Sequence, residues 1–250
     1  MNRHAFLGVT ALLLGGFAPV LVNAGEVNLA EGLPFVEVMH EGKKIKIERV
    51  QDQENTVSGF WAKTSRKCPP FCIHPIDAAT GVTTVGEVEL IDFLKNQVAQ
   101  GTGLLIDART PDWHLKGTIP GSINIPFTVF TVVPTDADER GKAQLRLRES
   151  LRLFGVKNGS LTTWDFSEAK ELLLFCNGVW CDQSPRAIKG LIALGYPASK
   201  LRYYRGGMQE WMVLALTVVT PTAKVAATET KVTKPQAPAL TPEQKKVATR

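Results

Sequence analysis

The chain has 250 residues, 44% of them hydrophobic and 21% charged, a balance that fits a folded core with appendages and excludes a wholly disordered or fibrous chain. Its formal charge of +5 is local: Arg3 adds one charge near the start, residues 221–250 add a net four, and the span 25–220 is neutral. A folded portion without net charge has no electrostatic footprint for nucleic acid, which is therefore not expected as a partner.

In chain order, Arg3 and His4 precede an apolar stretch from Ala5 to Val22, and Val22-Asn23-Ala24 places small residues at a cleavage position. This reads as a signal peptide over 1–24, a mature start at Gly25 and a periplasmic location. The competing reading is an uncleaved membrane anchor, which needs about 20 apolar residues. Gly15-Gly16 and Pro19 suit a leader better. Residues 25–80 form an N-terminal extension. Phe35–Met39 and Ile45–Val50 are apolar, partly alternating runs around Glu41-Gly42, which predicts a β-hairpin. A proline-rich arm follows, Cys68-Pro69-Pro70-Phe71-Cys72-Ile73-His74-Pro75. Its prolines forbid a regular helix, and Phe60, Trp61 and Phe71 are expected to pack it on the main domain.

Over residues 81–220 helices and strands alternate. Val85–Gln97 carries a helical stripe of Val88, Leu90, Ile91, Leu94 and Val98. Leu104–Ile106 is a short buried strand, and Ile119–Pro126 is extended. Ala143–Phe154 is an amphipathic helix with Leu145, Leu147, Leu151 and Phe154 inward and Arg146, Arg148 and Arg152 outward. Leu172–Phe175 is a continuous apolar strand. Ser184 is expected as N-cap, with Pro185 at the first position, of a helix ending at Gly195. Leu201–Tyr204 is a strand and Met208–Val213 a helix. Such alternation predicts an α/β fold, a parallel sheet flanked by helices on both faces. Residues 221–250 are rich in Pro, Ala, Thr and Lys and predict a disordered basic tail.

The chemistry centres on Cys176, which ends an apolar strand just before a helix. Ligands bind at the carboxyl ends of parallel strands. The loop Asn177, Gly178, Val179, Trp180, Cys181, Asp182 and Gln183, with Ser184 beyond it, must curl around that point and aim backbone N–H groups at it. A thiol held there has a lowered pKa and reacts as thiolate. A buried structural cysteine fits the same pattern equally well.

Three stretches, taken together, resemble the rhodanese family. Leu105-Ile106-Asp107-Ala108-Arg109 runs on through Trp113-His114 to Lys116-Gly117-Thr118-Ile119-Pro120-Gly121-Ser122-Ile123-Asn124-Ile125-Pro126. It is similar to the family's D-x-R…G-H-I-x-G-A-x-N-I-P signature. Leu174-Phe175-Cys176 is similar to the strand that leads into the family's catalytic cysteine. Gly195-Tyr196 with Arg205-Gly206-Gly207-Met208-Gln209-Glu210-Trp211 is similar to its closing pattern. The resemblance spans about residues 82–220 and implies a sulfurtransferase. Cys176 would attack the outer sulfur of a small donor, carry it as a persulfide and yield it to a thiol or cyanide-like acceptor. It implies no cofactor and no metal. Asp107 and Arg109 match the D-x-R and are read mainly as scaffold.

Departures from the pattern carry information. Thr118 stands where the signature has His. Many thiosulfate-using relatives place Arg or Lys in the cysteine loop; here the loop has Asp182 and no cation. Arg186 or Arg205 could compensate, with Arg109 as a third candidate, and thiosulfate becomes a doubtful donor. Phosphatases of this fold use C-x5-R, and Asp182 in the Arg position would repel phosphate. Cys181 is either a resolving thiol or a small loop residue. Cys68 and Cys72 form either a local disulfide or a redox or sulfur-relay pair. Neither pair has common zinc spacing. The alternatives to sulfur transfer are a thiol-disulfide redox protein using Cys176, Cys181 and perhaps Cys68 and Cys72, and a binding module without chemistry, tethered to a protein partner by the tail.

Overall fold

The computed structural model of the chain describes residues 27–157 and 163–221. The expected leader over 1–24 and all but the first residue of the expected tail over 221–250 lie outside the described residues.

The hairpin forms as the alternation predicts, β1 at Phe35–His40 and β2 at Lys43–Glu48, antiparallel with Val36 opposite Ile47. Glu41 and Gly42 turn the chain with positive φ, which glycine tolerates without strain. The remaining strands are β3 (Thr83–Val85), β4 (Gly103–Asp107), β5 (Ser122–Asn124), β6 (Glu171–Phe175) and β7 (Leu201–Tyr204). They make one parallel sheet in the order β3-β7-β6-β4-β5. The three-residue strand β3 was not expected; the sequence pattern had placed Val85 in a helix.

Successive side chains of a strand point to opposite faces. Leu172 and Leu174 of β6 face one core, with Ile106, Leu201 and Tyr203. Leu173 and Phe175 face the other, with Leu105 and Tyr204. The first face is covered by α3 (Thr128–Thr131), α4 (Ala137–Leu153) and α5 (Gln183–Ala193), through Phe130, Leu151, Ala187, Ile188 and Leu191. The second is covered by α1 (Glu87–Phe93, continued as a wide turn to Val98), by α6 (Gly207–Val213) and by the hairpin. Val36, Val38 and Ile47 share this core with Leu90, Phe93 and Trp211, so the hairpin is part of the cover of the sheet. The helix α2 (Pro111–His114) links β4 to β5. The result is the expected α/β sheet with cover on both faces.

Three local expectations are corrected. Leu145 faces solvent with 57% exposure. The buried stripe of α4 is Leu147, Leu151 and Phe154, and Leu145, two residues before Leu147, points to the far side of the helix. Val88 is likewise exposed, off the stripe of Leu90, Ile91 and Leu94. Helix α4 begins at Ala137, six residues before its expected start, because the Asp136 carboxylate accepts the Glu139 N–H at 3.0 Å as an N-cap.

Candidate active site

The chain leaves β4 toward β5 on one side and leaves β6 toward β7 on the opposite side. The crevice between the carboxyl ends of these two central strands is the position where ligands bind such sheets. Cys176 lies there, immediately after β6, with 1% exposure.

Backbone carbonyls of the loop are held from outside. The α6 N–H groups of Met208 and Gln209 donate to Cys176 O at 3.0 Å and Asn177 O at 2.9 Å. This close approach depends on Gly207, whose φ is +56° and whose missing Cβ would meet Cys176 O and, at 2.7 Å, Gly178 N. With its carbonyls turned to α6, the loop turns N–H groups of Gly178 and Ser184 to the sulfur.

Ser184 departs from expectation. It does not cap the helix: α5 starts two residues earlier than expected, at Gln183 with Asp182 as N-cap residue, and the Ser184 hydroxyl donates to Cys176 Sγ at 3.0 Å. The sulfur thus replaces the helix end as the hydroxyl's partner. In its protonated form the Cys176 thiol in turn donates to Cys181 O at 3.3 Å. Burial raises the Cys176 pKa, but hydrogen bonds from Cys181, Ser184 and the two backbone amides outweigh it and bring the thiol to about 7. Cys181 is also free and buried; its hydrogen bond to Cys176, then burial and the Cys176 charge, push its pKa up. The two sulfurs act as one pair, with the thiolate on Cys176 and the proton on Cys181.

Asp107 and Arg109 brace this loop from β4. Both are fully buried, and the guanidinium meets the carboxylate through Nε at 2.8 Å and Nη2 at 2.6 Å. Arg109 also donates to Gly117 O at 2.7 Å and to Asn177 Oδ1 at 3.3 Å, so one residue ties the signature stretch to the cysteine loop. His114 Nδ1 lies 2.9 Å from Asp107 Oδ2, and the Thr118 hydroxyl donates to the same oxygen at 2.8 Å. At the position where the signature has His, Thr118 reaches the carboxylate, and a histidine four residues earlier reaches it too. Burial disfavours the Asp107 charge, yet Arg109 and His114 overcome that and hold its pKa at about 2.

Arg186 stacks over Phe127, 4.4 Å from the ring centre, and lies 3.9 Å from Asp182. Arg205 donates to His74 O at 2.8 Å and Pro75 O at 3.2 Å. The three candidate cations thus have protein partners: Arg109 in the scaffold, Arg186 on the face of α5, Arg205 on the arm.

The arm lies over the loop. His74 N donates to Val179 O at 2.9 Å, and Gln209 Nε2 to Trp61 O at 2.5 Å. Phe60 packs on Trp113, 4.8 Å between centres, and on Trp180 at 5.8 Å; Phe71 packs on Trp180 at 5.1 Å. The packing of Phe60, Trp61 and Phe71 is as the sequence predicts, with Trp113 and Trp180 as their partners and Arg66 among them unforeseen. Its guanidinium lies 4.0 Å from Phe60, 4.6 Å from Trp180 and 5.1 Å from Phe71, and it donates to Phe60 O. Cys68 and Cys72 are joined as a disulfide in this arm.

Among the described residues, six buried side-chain polar atoms have no hydrogen-bond partner. Five surround the loop: Nε and Nη1 of Arg66, Oε1 of Gln183 in its last turn, Oε1 of Gln209 beside Gly178, and the hydroxyl of Tyr203, which feels the Cys176 charge. Unmet hydrogen-bonding capacity is thus concentrated around the cysteine loop. Composition alone singled out neither Gln209 nor Tyr203.

A parallel sheet carrying an acid-shifted cysteine in an amide-lined loop defines an α/β protein built around a thiolate. Residues 90–213 match the family model for the rhodanese-like domain, and the chain carries a rhodanese-like domain. No curated protein matches the chain significantly. Among solved structures it is similar to a rhodanese-related protein from Thermoplasma volcanium, with 20% identity over 56% of this chain and 99% of that one, TM-score 0.34. A human single-domain sulfurtransferase shares 24% identity over 52% of this chain and 96% of its own, TM-score 0.33. An As-Sb reductase from Leishmania major shares 21% over 52% and 76%, TM-score 0.33.

Proposed function

We propose that the protein is a sulfurtransferase in which Cys176 carries sulfane sulfur as a persulfide between a small donor and a thiophilic acceptor. The observation that carries this reading is the Cys176 sulfur itself, enclosed at the carboxyl end of β6 and met there by the Ser184 hydroxyl at 3.0 Å, a contact that favours its thiolate. The Cys176 thiolate attacks the outer sulfur of the donor; the donor's S–S bond breaks and its remainder leaves with the electron pair. Loop amides and the Ser184 hydroxyl then face an anionic persulfide in place of a thiolate. A thiolate or cyanide-like acceptor removes the outer sulfur and restores Cys176. The rhodanese-like domain supports this chemistry at the level of the family.

The donor is proposed to be a persulfide of a small thiol or a polysulfide in preference to thiosulfate. A sulfite leaving group is best met by a cation in the cysteine loop, but that loop carries Asp182; Arg109, Arg186 and Arg205 are engaged elsewhere, and Arg66 sits outside the loop, stacked on the rings of Phe60, Phe71 and Trp180. Incubation with each donor followed by intact and peptide mass measurement tests the proposal. The expected result is the gain of one sulfur atom on Cys176, faster from glutathione persulfide than from thiosulfate. Sulfur uptake by a Cys176→Ser protein would sink it.

A second reading uses Cys181 as resolving thiol, favoured by its place beside Cys176, whose thiol donates to Cys181 O at 3.3 Å, both cysteines being free and buried. Attack of Cys181 on the inner sulfur of the persulfide expels sulfide and leaves a Cys176–Cys181 disulfide. From the leader pattern of residues 1–24, an exported, periplasmic protein is proposed; the basic residues of 221–250 are proposed as a tether to a protein partner.

A further inference from the structure

The disulfide joins residues only four positions apart. A ring this small removes little entropy from the unfolded chain, so stabilisation is a weak reason for it. Its surroundings supply another. Cys68 is exposed and Cys72 half-buried, whereas Cys176 and Cys181 are buried free thiols. The arm that carries the disulfide is bonded to the loop that carries the thiols. Phe71, just before Cys72, packs on Trp180, just before Cys181. His74, two residues after Cys72, donates to Val179 O. Arg66 spans the Phe71 and Trp180 rings, and Arg205 grips His74 O and Pro75 O. Two cysteine pairs of opposite oxidation state, one facing solvent and one enclosed, thus lie on touching segments.

We propose that Cys68–Cys72 is a redox relay for the active-site cysteines, exchanging its disulfide with the Cys176–Cys181 pair and meeting an external dithiol partner that cannot reach the buried pair.

In one direction the Cys176 thiolate attacks Cys72 Sγ. The Cys68–Cys72 bond breaks, and Cys68 leaves as thiolate and takes a proton from solvent. Bonding at Cys176 removes the hydrogen bond and the charge that had held the proton on Cys181. Cys181 then loses that proton and attacks Cys176 Sγ; the Cys72–Cys176 bond breaks, and Cys72 leaves and is protonated. Two electrons pass from loop to arm with no other oxidant. In the other direction an external dithiol attacks exposed Cys68, and the resulting arm dithiol reduces a Cys176–Cys181 disulfide. That disulfide is the product of sulfide release by Cys181, so the reductive use rests on the sulfur-transfer reading, whereas the exchange does not.

The test uses the mature full-length chain with Cys68→Ser and Cys181→Ser, which retains Cys72 and Cys176. After oxidation with diamide and blocking of remaining thiols, non-reducing peptide mapping is expected to find a Cys72–Cys176 disulfide within one chain, formed at a rate independent of protein concentration. Free thiols throughout, or links only between chains, overturn the relay. In the unaltered protein, chains holding one disulfide per molecule are prepared with it in the arm or in the loop. Both preparations are expected to reach one common distribution over the two pairs; two distributions that never converge overturn the proposal. Sulfur uptake by Cys176 is followed separately in a Cys68→Ser, Cys72→Ser chain. Uptake there with no exchange in the other two experiments ends the relay and leaves sulfur transfer standing; exchange without uptake does the reverse.

Discussion

The Ser184 hydroxyl points from the first turn of α5 at the Cys176 sulfur, 3.0 Å away. A neutral donor fixed on a rigid helix discriminates between thiol and thiolate, since its bond to the charged sulfur is the stronger. Carriage of sulfur as an anionic persulfide depends on the same donor.

Ser184→Ala removes one hydrogen bond to a charged group, worth about 1.5–3 kcal/mol, and so raises the Cys176 pKa by about one to two units. The rate of alkylation by iodoacetamide against pH is expected to keep its plateau while its midpoint moves up from about 7. An unmoved midpoint would place the stabilisation on Cys181 and the backbone amides.

Gly207→Ala puts a methyl group where Cys176 O and Gly178 N already stand and strains a backbone at φ +56°. The loop must shift, and the N–H groups of Gly178 and Ser184 lose their aim at the sulfur. Sulfur uptake is expected to fall by about two orders of magnitude, since misplacement by about 1 Å costs that much. Wild-type uptake in a variant that folds normally would show that the loop tolerates displacement.

The central strands and the nucleophile were legible because each is a local pattern. Leu172–Phe175 is uniformly apolar and ends at Cys176, and the alternation of Val36, Val38 and Ile47 marks one buried face of the hairpin. Strand β3 and helices α2 and α3, of three or four residues, exist by pairing and packing and are too short to show a period. Ser184 followed by Pro185 looked like a helix start on local chemistry, and a tertiary partner, the sulfur, decided otherwise. Arg66 was illegible for the same reason: its rings, Phe60 apart, come from Phe71 and the distant Trp180. The D-x-R pair was read as scaffold, and Arg109 does lie wholly within the protein, but its bridge to Asn177 joins residues 68 positions apart.

Asp107 links stability to acid. Its pKa in the folded chain, about 2, lies below the ordinary 3.8, so its contribution is fully present above about pH 4 and is lost as pH falls toward 2. Asp107→Ala strands the buried Arg109 charge and is expected to cost about 3–5 kcal/mol at neutral pH in urea titrations. The variant is also expected to lose less stability than wild type between pH 4 and 2. Parallel pH profiles for the two proteins would remove Asp107 from the acid response.

Arg66 governs access to the thiol. Its guanidinium lies against Phe60, Phe71 and Trp180 at 4.0–5.1 Å, and a half-buried cation–π contact is worth about 1–2 kcal/mol. Arg66→Ala therefore opens the arm about tenfold more often. Alkylation of Cys176 is expected to accelerate by that factor at every pH with its midpoint unchanged, because none of the hydrogen bonds to the sulfur involves Arg66. Arg66→Lys keeps the charge without the planar stack and is expected to fall between the two. Hydrogen exchange at the His74 amide, which bonds Val179 O, should quicken in the same order. Equal alkylation rates in all three proteins would mean that reagents reach Cys176 by a route the arm does not cover.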